Sequence, residues 1–235
     1  MTAADGESPD SPPAPERETR HTARSVRLGL LLAVVGGALD AYTFVDYQVF
    51  ANAQTGNIVM MGVSAAQRDW RAAADRLPPI LAFVAGVVAA EALQRPRISA
   101  ILRWPTRMAL VLEILVLIGV ALLPREAQTV VTVLVAFASS VQVTSFRTLV
   151  DTPYSTTIST GNLRTAAQNA FAAVVARDRE AARRAGRFWG IVLAFLVGAC
   201  GGAVLTMHLH AYAVLVPAVL LIGALALFVH DERTA

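Results

Sequence analysis

The sequence predicts an all-α membrane protein: six transmembrane helices arranged as two inverted three-helix repeats, each with a Thr-Gly-Asn helix start. Three observations lead there. Hydrophobic residues make up 55% of the 235, and mean hydropathy is +0.54, whereas ordinary soluble domains hold roughly 45 to 50% apolar residues. Six apolar spans, at residues 28–45, 77–93, 108–123, 128–146, 188–207 and 211–229, each approach the roughly 20 residues that cross a hydrocarbon core. Thr-Gly-Asn occurs twice, at Thr55-Gly56-Asn57 and Thr160-Gly161-Asn162, each time at the head of a stretch that reads as helix.

In chain order, residues 1–24 are rich in Pro, Ser and charge and read as a disordered cytoplasmic tail. Residues 25–230 form the membrane domain, with repeat one at about 28–123 and repeat two at about 128–229, and 231–235 are a short C-terminal tail. Ala51-Asn52-Ala53 has the small-x-small look of a signal-peptidase site, but the apolar run before it is long and ends too early, so cleavage is not expected. With the N-terminus inside, 16 Arg fall in the tails and loops on that side and 4 on the other. That asymmetry places both termini in the cytoplasm.

The halves match in order. Thr55-Gly56-Asn57 recurs 105 residues later, Leu81-Ala82-Phe83 with Gly86 recurs as Leu193-Ala194-Phe195 with Gly198, and Leu117-Ile118-Gly119 recurs as Leu221-Ile222-Gly223. Three spans per half is an odd number, so the second copy would be inserted upside down, a recurring plan in transporters. In the second span of each half, Ala82, Gly86 and Ala90, and Ala194, Gly198 and Gly202, fall four apart on one helix face. Such stripes read first as close helix packing between the halves, with a backbone-lined substrate path as the sharper alternative.

Composition excludes several classes. All 20 basic residues are Arg, which removes a Walker A lysine and a Schiff-base lysine. Their placement between apolar spans reports topology, so no nucleic-acid partner is expected. Cys200 is the only cysteine, which excludes an intramolecular disulfide and a cysteine metal cluster; among Gly198, Gly201 and Gly202 it reads as a small packing residue. His208 and His210, two apart, point to different faces of a helix and make an interfacial polar pair rather than a metal site. Gly62-Val63-Ser64-Ala65-Ala66 lacks the last Gly of a nucleophile elbow. No enzyme, metal or cofactor is expected.

The run Gly36-Gly37-Ala38-Leu39-Asp40-Ala41-Tyr42-Thr43, then Phe50-Ala51-Asn52-Ala53-Gln54-Thr55-Gly56-Asn57, with the later Ser159-Thr160-Gly161-Asn162-Leu163, resembles the YoaK family of bacterial membrane proteins. The likeness covers roughly residues 28 to 230. It implies a multi-span protein of the bacterial inner membrane, from a family of uncharacterised activity.

Physically, Thr55 or Thr160 can cap a helix, Gly56 and Gly161 allow close approach, and Asn57 and Asn162 offer donor and acceptor. The free amides of the next turn favour an anion. The apolar stretch Ile58–Ala66 is short enough for a re-entrant half-helix. Residues Leu163, Ala166, Ala167, Ala170, Phe171, Val174 and Val175 form one stripe opposite Arg164 and Gln168, which suits an interfacial helix equally well. Two well-capped helices making interhelical hydrogen bonds are the plainer account.

Asp40, inside the first span, is the strongest single candidate, as a proton or cation site or as an acceptor for Tyr42, Gln54 or Asn52. Glu91 and Glu113 lie nearer the cytoplasmic ends of their spans, where pairing with Arg95 or Arg107 is expected, and Gln142 and Ser145 take the place of Asp40 in the second half. The substrate-binding set is therefore Asp40, Asn52, Gln54, Thr55, Gly56, Asn57, Thr160, Gly161 and Asn162, facing a shared polar interior. The expected function is transport of a small solute, with an anionic substrate and proton coupling through Asp40 as the options these groups suggest. The competing class is a non-transporting scaffold or regulator acting through the Arg-rich loop Arg177 to Arg187, which could instead meet anionic lipid head groups. Expected partners are the lipid bilayer and a small solute, with a homo-oligomer left open.

Overall fold

A computed structural model describes residues 26–95, 105–124, 126–149, 152–155, 157 and 159–234. The expected disordered tail at 1–24 lies outside the described residues, as do Arg97, Arg103 and Arg125. The helices are α1 (Val26–Tyr47), α2 (Gln54–Ala66), α3 (Trp70–Ala74), α4 (Leu77–Leu93), α5 (Pro105–Ala121), α6 (Gln128–Ser145), α7 (Ser159–Val175), α8 (Arg179–Leu209) and α9 (Leu215–Thr234). A 3-10 turn, His210–Val214, joins the last two. Between α6 and α7, β1 (Thr148–Leu149) and β2 (Thr152–Pro153) form a small antiparallel ladder, with Thr148 opposite Pro153.

Local chemistry sets the boundaries. Gln48 takes φ 56°, a left-handed turn that stops α1 and reverses the chain. Asp69 caps α3 by accepting from the Ala72 amide at 3.0 Å. Pro78 and Pro79 follow Leu77 in the first turn of α4, where a missing N–H costs nothing. Asp178 caps α8 through the amides of Glu180 and Ala181, so most of the expected Arg-rich loop is the first two turns of a 31-residue helix. That helix ends at His210, again with positive φ.

Among the described residues, four helical stretches are long and apolar enough to cross a membrane: Val26–Tyr47, Trp70–Leu93, Gln128–Ser145 and Arg179–His230, the last interrupted by the 3-10 turn. The outer surface agrees with that setting. Leu81, Val84 and Val88 on α4, Leu193, Leu196, Val197 and Val204 on α8, and Val219 and Ile222 on α9 are all exposed, a belt far too apolar to face water.

Inside, α1 packs on α8 and α9, α6 packs on α4 and α5, and α5 packs on α9. Leu32 and Leu39, Leu110 and Leu117, Val135, and Leu221 and Phe228 fill the space between α1, α5, α6 and α9. The small-residue stripes make the closest contacts. A Cβ on Gly86 would strike the Phe137 carbonyl and Ser140 of α6, and one on Gly202 would lie 2.6 Å from the Cα of Ala38 on α1. Gly37 and Gly198 are equally closed, against the backbones of Phe195 and Val34. Each stripe thus joins a helix of residues 28–123 to one of residues 128–229. Cys200 differs from its expectation: it is exposed on the outer face of α8, while Gly198 and Gly202 hold the packed one.

Candidate functional site

Asp40 lies near the C-terminal end of α1, on its buried side. After Gln48 the chain turns back along α1, and two side chains one turn apart hold it there. Asp40 Oδ1 accepts the Asn52 amide at 2.7 Å, and Thr43 Oγ1 accepts the Ala51 amide at 3.0 Å while donating to Leu39 O at 3.0 Å. The other carboxylate oxygen, Oδ2, is buried with no closed hydrogen bond among the described residues. Asn52 is buried beside it, and both polar atoms of its side chain are likewise without one. One oxygen of Asp40 is therefore structural; the second lies by the Asn52 amide group, which acts on the carboxyl together with the Ala51 and Ala53 amides, and this buried set closes no side-chain hydrogen bond among the described residues.

The same return loop is locked from α2. Asn57 Nδ2 donates to Phe50 O at 2.7 Å and to Gln54 Oε1 at 2.9 Å, while Asn57 Oδ1 accepts from Phe50 N at 2.9 Å. Gln54 Nε2 in turn donates to Ala51 O at 2.8 Å. The ring of Phe50 stacks on Phe44 and lies over Gly56, where a Cβ would come within 2.8 Å of it and push the ring aside. Thr55 is exposed, and the residue at the cap position is Ala53, with no side-chain bond. The expected threonine cap is absent here: the asparagine does the work, by clamping a backbone unit seven residues earlier.

The second copy repeats the device. Asn162 Nδ2 donates to Ser155 O at 2.6 Å and its Oδ1 accepts from Ser155 N at 3.4 Å, again seven residues back. Thr160 is exposed, and Gly161 has open space where a Cβ would stand. Neighbouring Tyr154 is buried, which pushes its phenol above the ordinary range. The two copies are held by different helices, α2 against α3 and α4 and α7 against α8, in separate hydrogen-bond networks. On α7, Asn162 and Ala166 face inward, while Leu163, Phe171, Val174 and Val175 of the expected stripe are exposed.

The site residues thus divide. Asp40, Asn52, Gln54 and Asn57 come together, Gly56 supports them, Asn162 forms its own clamp, and Thr55, Thr160 and Gly161 stand outside both. Thr43 was missed; its spacing of three from Asp40, on one helix face, was the available signal. The other acids also depart from expectation. Glu91 pairs with Arg147, at the end of α6, rather than with Arg95 or Arg107. Glu113 sits at the middle of α5, fully buried, and accepts from Ser139 Oγ at 3.3 Å. His208 and His210 are both exposed.

An apolar helical bundle with a polar, hydrogen-bonded loop folded against one buried acid defines the chain as a membrane protein. A family model described as "Protein of unknown function (DUF1275)" matches residues 28–227, and the chain belongs to that family. No curated protein and no solved structure matches it.

Proposed function

We propose that the chain is a bacterial inner-membrane transporter of a small solute, proton-coupled through Asp40. In this reading it has six spans in two inverted halves and both termini in the cytoplasm. YoaK-type proteins fall within the same family, which agrees with the sequence likeness.

The observation that carries the reading is the buried Asp40 carboxyl beside the Asn52 side chain, which act on one another yet leave Asp40 Oδ2, Asn52 Oδ1 and Asn52 Nδ2 without a closed hydrogen bond among the described residues. Each such atom costs about 1 to 3 kcal/mol if nothing satisfies it, and an acid within a membrane helix is a functional-site hypothesis by default. A bound solute or an exchanging proton would satisfy them. The inverted-repeat reading draws on the packing. Exchanging α1 with α6, α4 with α8 and α5 with α9 turns the contact of α1 with α8 into that of α6 with α4, and leaves α5 on α9 unchanged. The two asparagine clamps exchange likewise.

Uptake into proteoliposomes tests the function. A panel of small anions and neutral solutes should include one whose uptake follows an imposed pH gradient and is lost in Asp40→Asn. A protein that moves no solute in any member of the panel yet retains a partner in pull-downs through the Arg-rich start of α8 would favour the scaffold reading and sink this one.

A further inference from the structure

Glu113 is the buried acid that the Asp40 site leaves unused. Ser139 binds one of its oxygens, and Oε2 has no hydrogen-bond partner among the described residues. Gln142, one turn along α6 and on the same face as Ser139, is buried with its Nε2 also unpartnered. Among the described residues, no charged side chain of α6, the 3-10 turn or α9 pairs with the carboxyl, and the titratable group that α1 adds to the surrounding cluster is the buried Tyr42. α6 carries no ionisable residue between Gln128 and Ser145. His210 and Tyr212 of the 3-10 turn are exposed. His230, Asp231, Glu232 and Arg233 lie at the far end of α9, and Arg107 on α5 itself is six residues away.

A fixed anion in that setting is expensive. As a mere acceptor for Ser139 a glutamine would serve at lower cost; what a carboxyl adds is the ability to take up and release a positive charge. We propose that Glu113, with Ser139 bound to it and Gln142 one turn further along α6, is a second buried monovalent-cation site besides Asp40, taking a proton or sodium on its carboxylate oxygens. The site stands on these residues alone and does not require that the protein transport a solute.

The full-length protein in lipid nanodiscs is treated with dicyclohexylcarbodiimide, which adds the O–H of a carboxylic acid across its C=N bond with no leaving group. Peptide mass spectrometry then locates the adduct. Labelling is expected at Glu113 and absent in Glu113→Gln. It should fall about tenfold per pH unit above its midpoint if the ion is a proton, or fall with sodium but not potassium at fixed pH if it is sodium. Ser139→Ala should move that midpoint while keeping the adduct, which covers the case in which Glu113→Gln does not fold. A Glu113 that labels only after denaturation, labelling indifferent to both pH and sodium, or an unmoved midpoint in Ser139→Ala would each overturn the site. None of these readouts depends on finding a solute, so their failure is separable from a failure of transport.

Discussion

The asparagine clamp makes a quantitative prediction. Asn57→Ala removes three hydrogen bonds, of 2.7, 2.9 and 2.9 Å, from a residue that is 1% exposed. Gln54 is only half-buried and can turn outward, so the lasting loss is the Phe50 N–H and C=O. Two unsatisfied backbone groups at about 1 to 3 kcal/mol each, discounted because Phe50 is itself half-buried, give a cost of about 2 to 4 kcal/mol. Thr55→Ala, two residues away, changes an exposed side chain without a hydrogen bond and should stay within about 0.5 kcal/mol of the parent. Asn162→Ala should fall between them, because one of its two bonds is long at 3.4 Å. The assay is reversible SDS unfolding in mixed micelles followed by circular dichroism. Asn57→Ala within error of Thr55→Ala would refute the clamp.

Other outcomes follow from the same contacts. Gly202→Ala should cost about 1 to 3 kcal/mol by forcing α8 from α1, whereas Gly161→Ala and Gly223→Ala, which meet open space, should stabilise by about 0.4 to 1 kcal/mol; the same unfolding assay reads both. Asp40→Asn keeps an oxygen for the Asn52 amide and should unfold within about 1 kcal/mol of the parent, while Asp40→Ala should cost more by stranding that amide. Breaking the exposed Glu91–Arg147 pair with Glu91→Ala should cost no more than about 1 kcal/mol, and less in high salt. Finally, in a Cys200→Ala background, single cysteines at exposed Thr55 and Thr160 should react with a membrane-impermeant thiol reagent from opposite sides; access from the same side would refute the inverted arrangement. Gly56 is unsuitable for this labelling because Phe50 covers it.

What depends on local hydropathy and side-chain size was legible in the residues themselves. Apolar runs placed α1, α4, α6 and α8, Thr-Gly-Asn fell in the first turn of α2 and of α7, and the four-residue stripes at Gly86 and Gly198 marked where helix backbones meet. Which face of each helix turns inward was set by the packing of the helices on one another. A span that is apolar on every side carries little periodicity to choose a face, so Cys200 read as packed yet lies outside, and Glu113 read as a helix-end ion-pair partner yet lies in the core. The same holds for the motif. Thr, Gly and Asn can each serve a helix start, and the left-handed turn at Gln48, which brings Phe50 back over Gly56, leaves that work to Asn57. Asp40 was visible as an acid in an apolar span; that one of its oxygens is tied to the Asn52 amide while the other closes no hydrogen bond among the described residues depends on a loop folded back from twelve residues away.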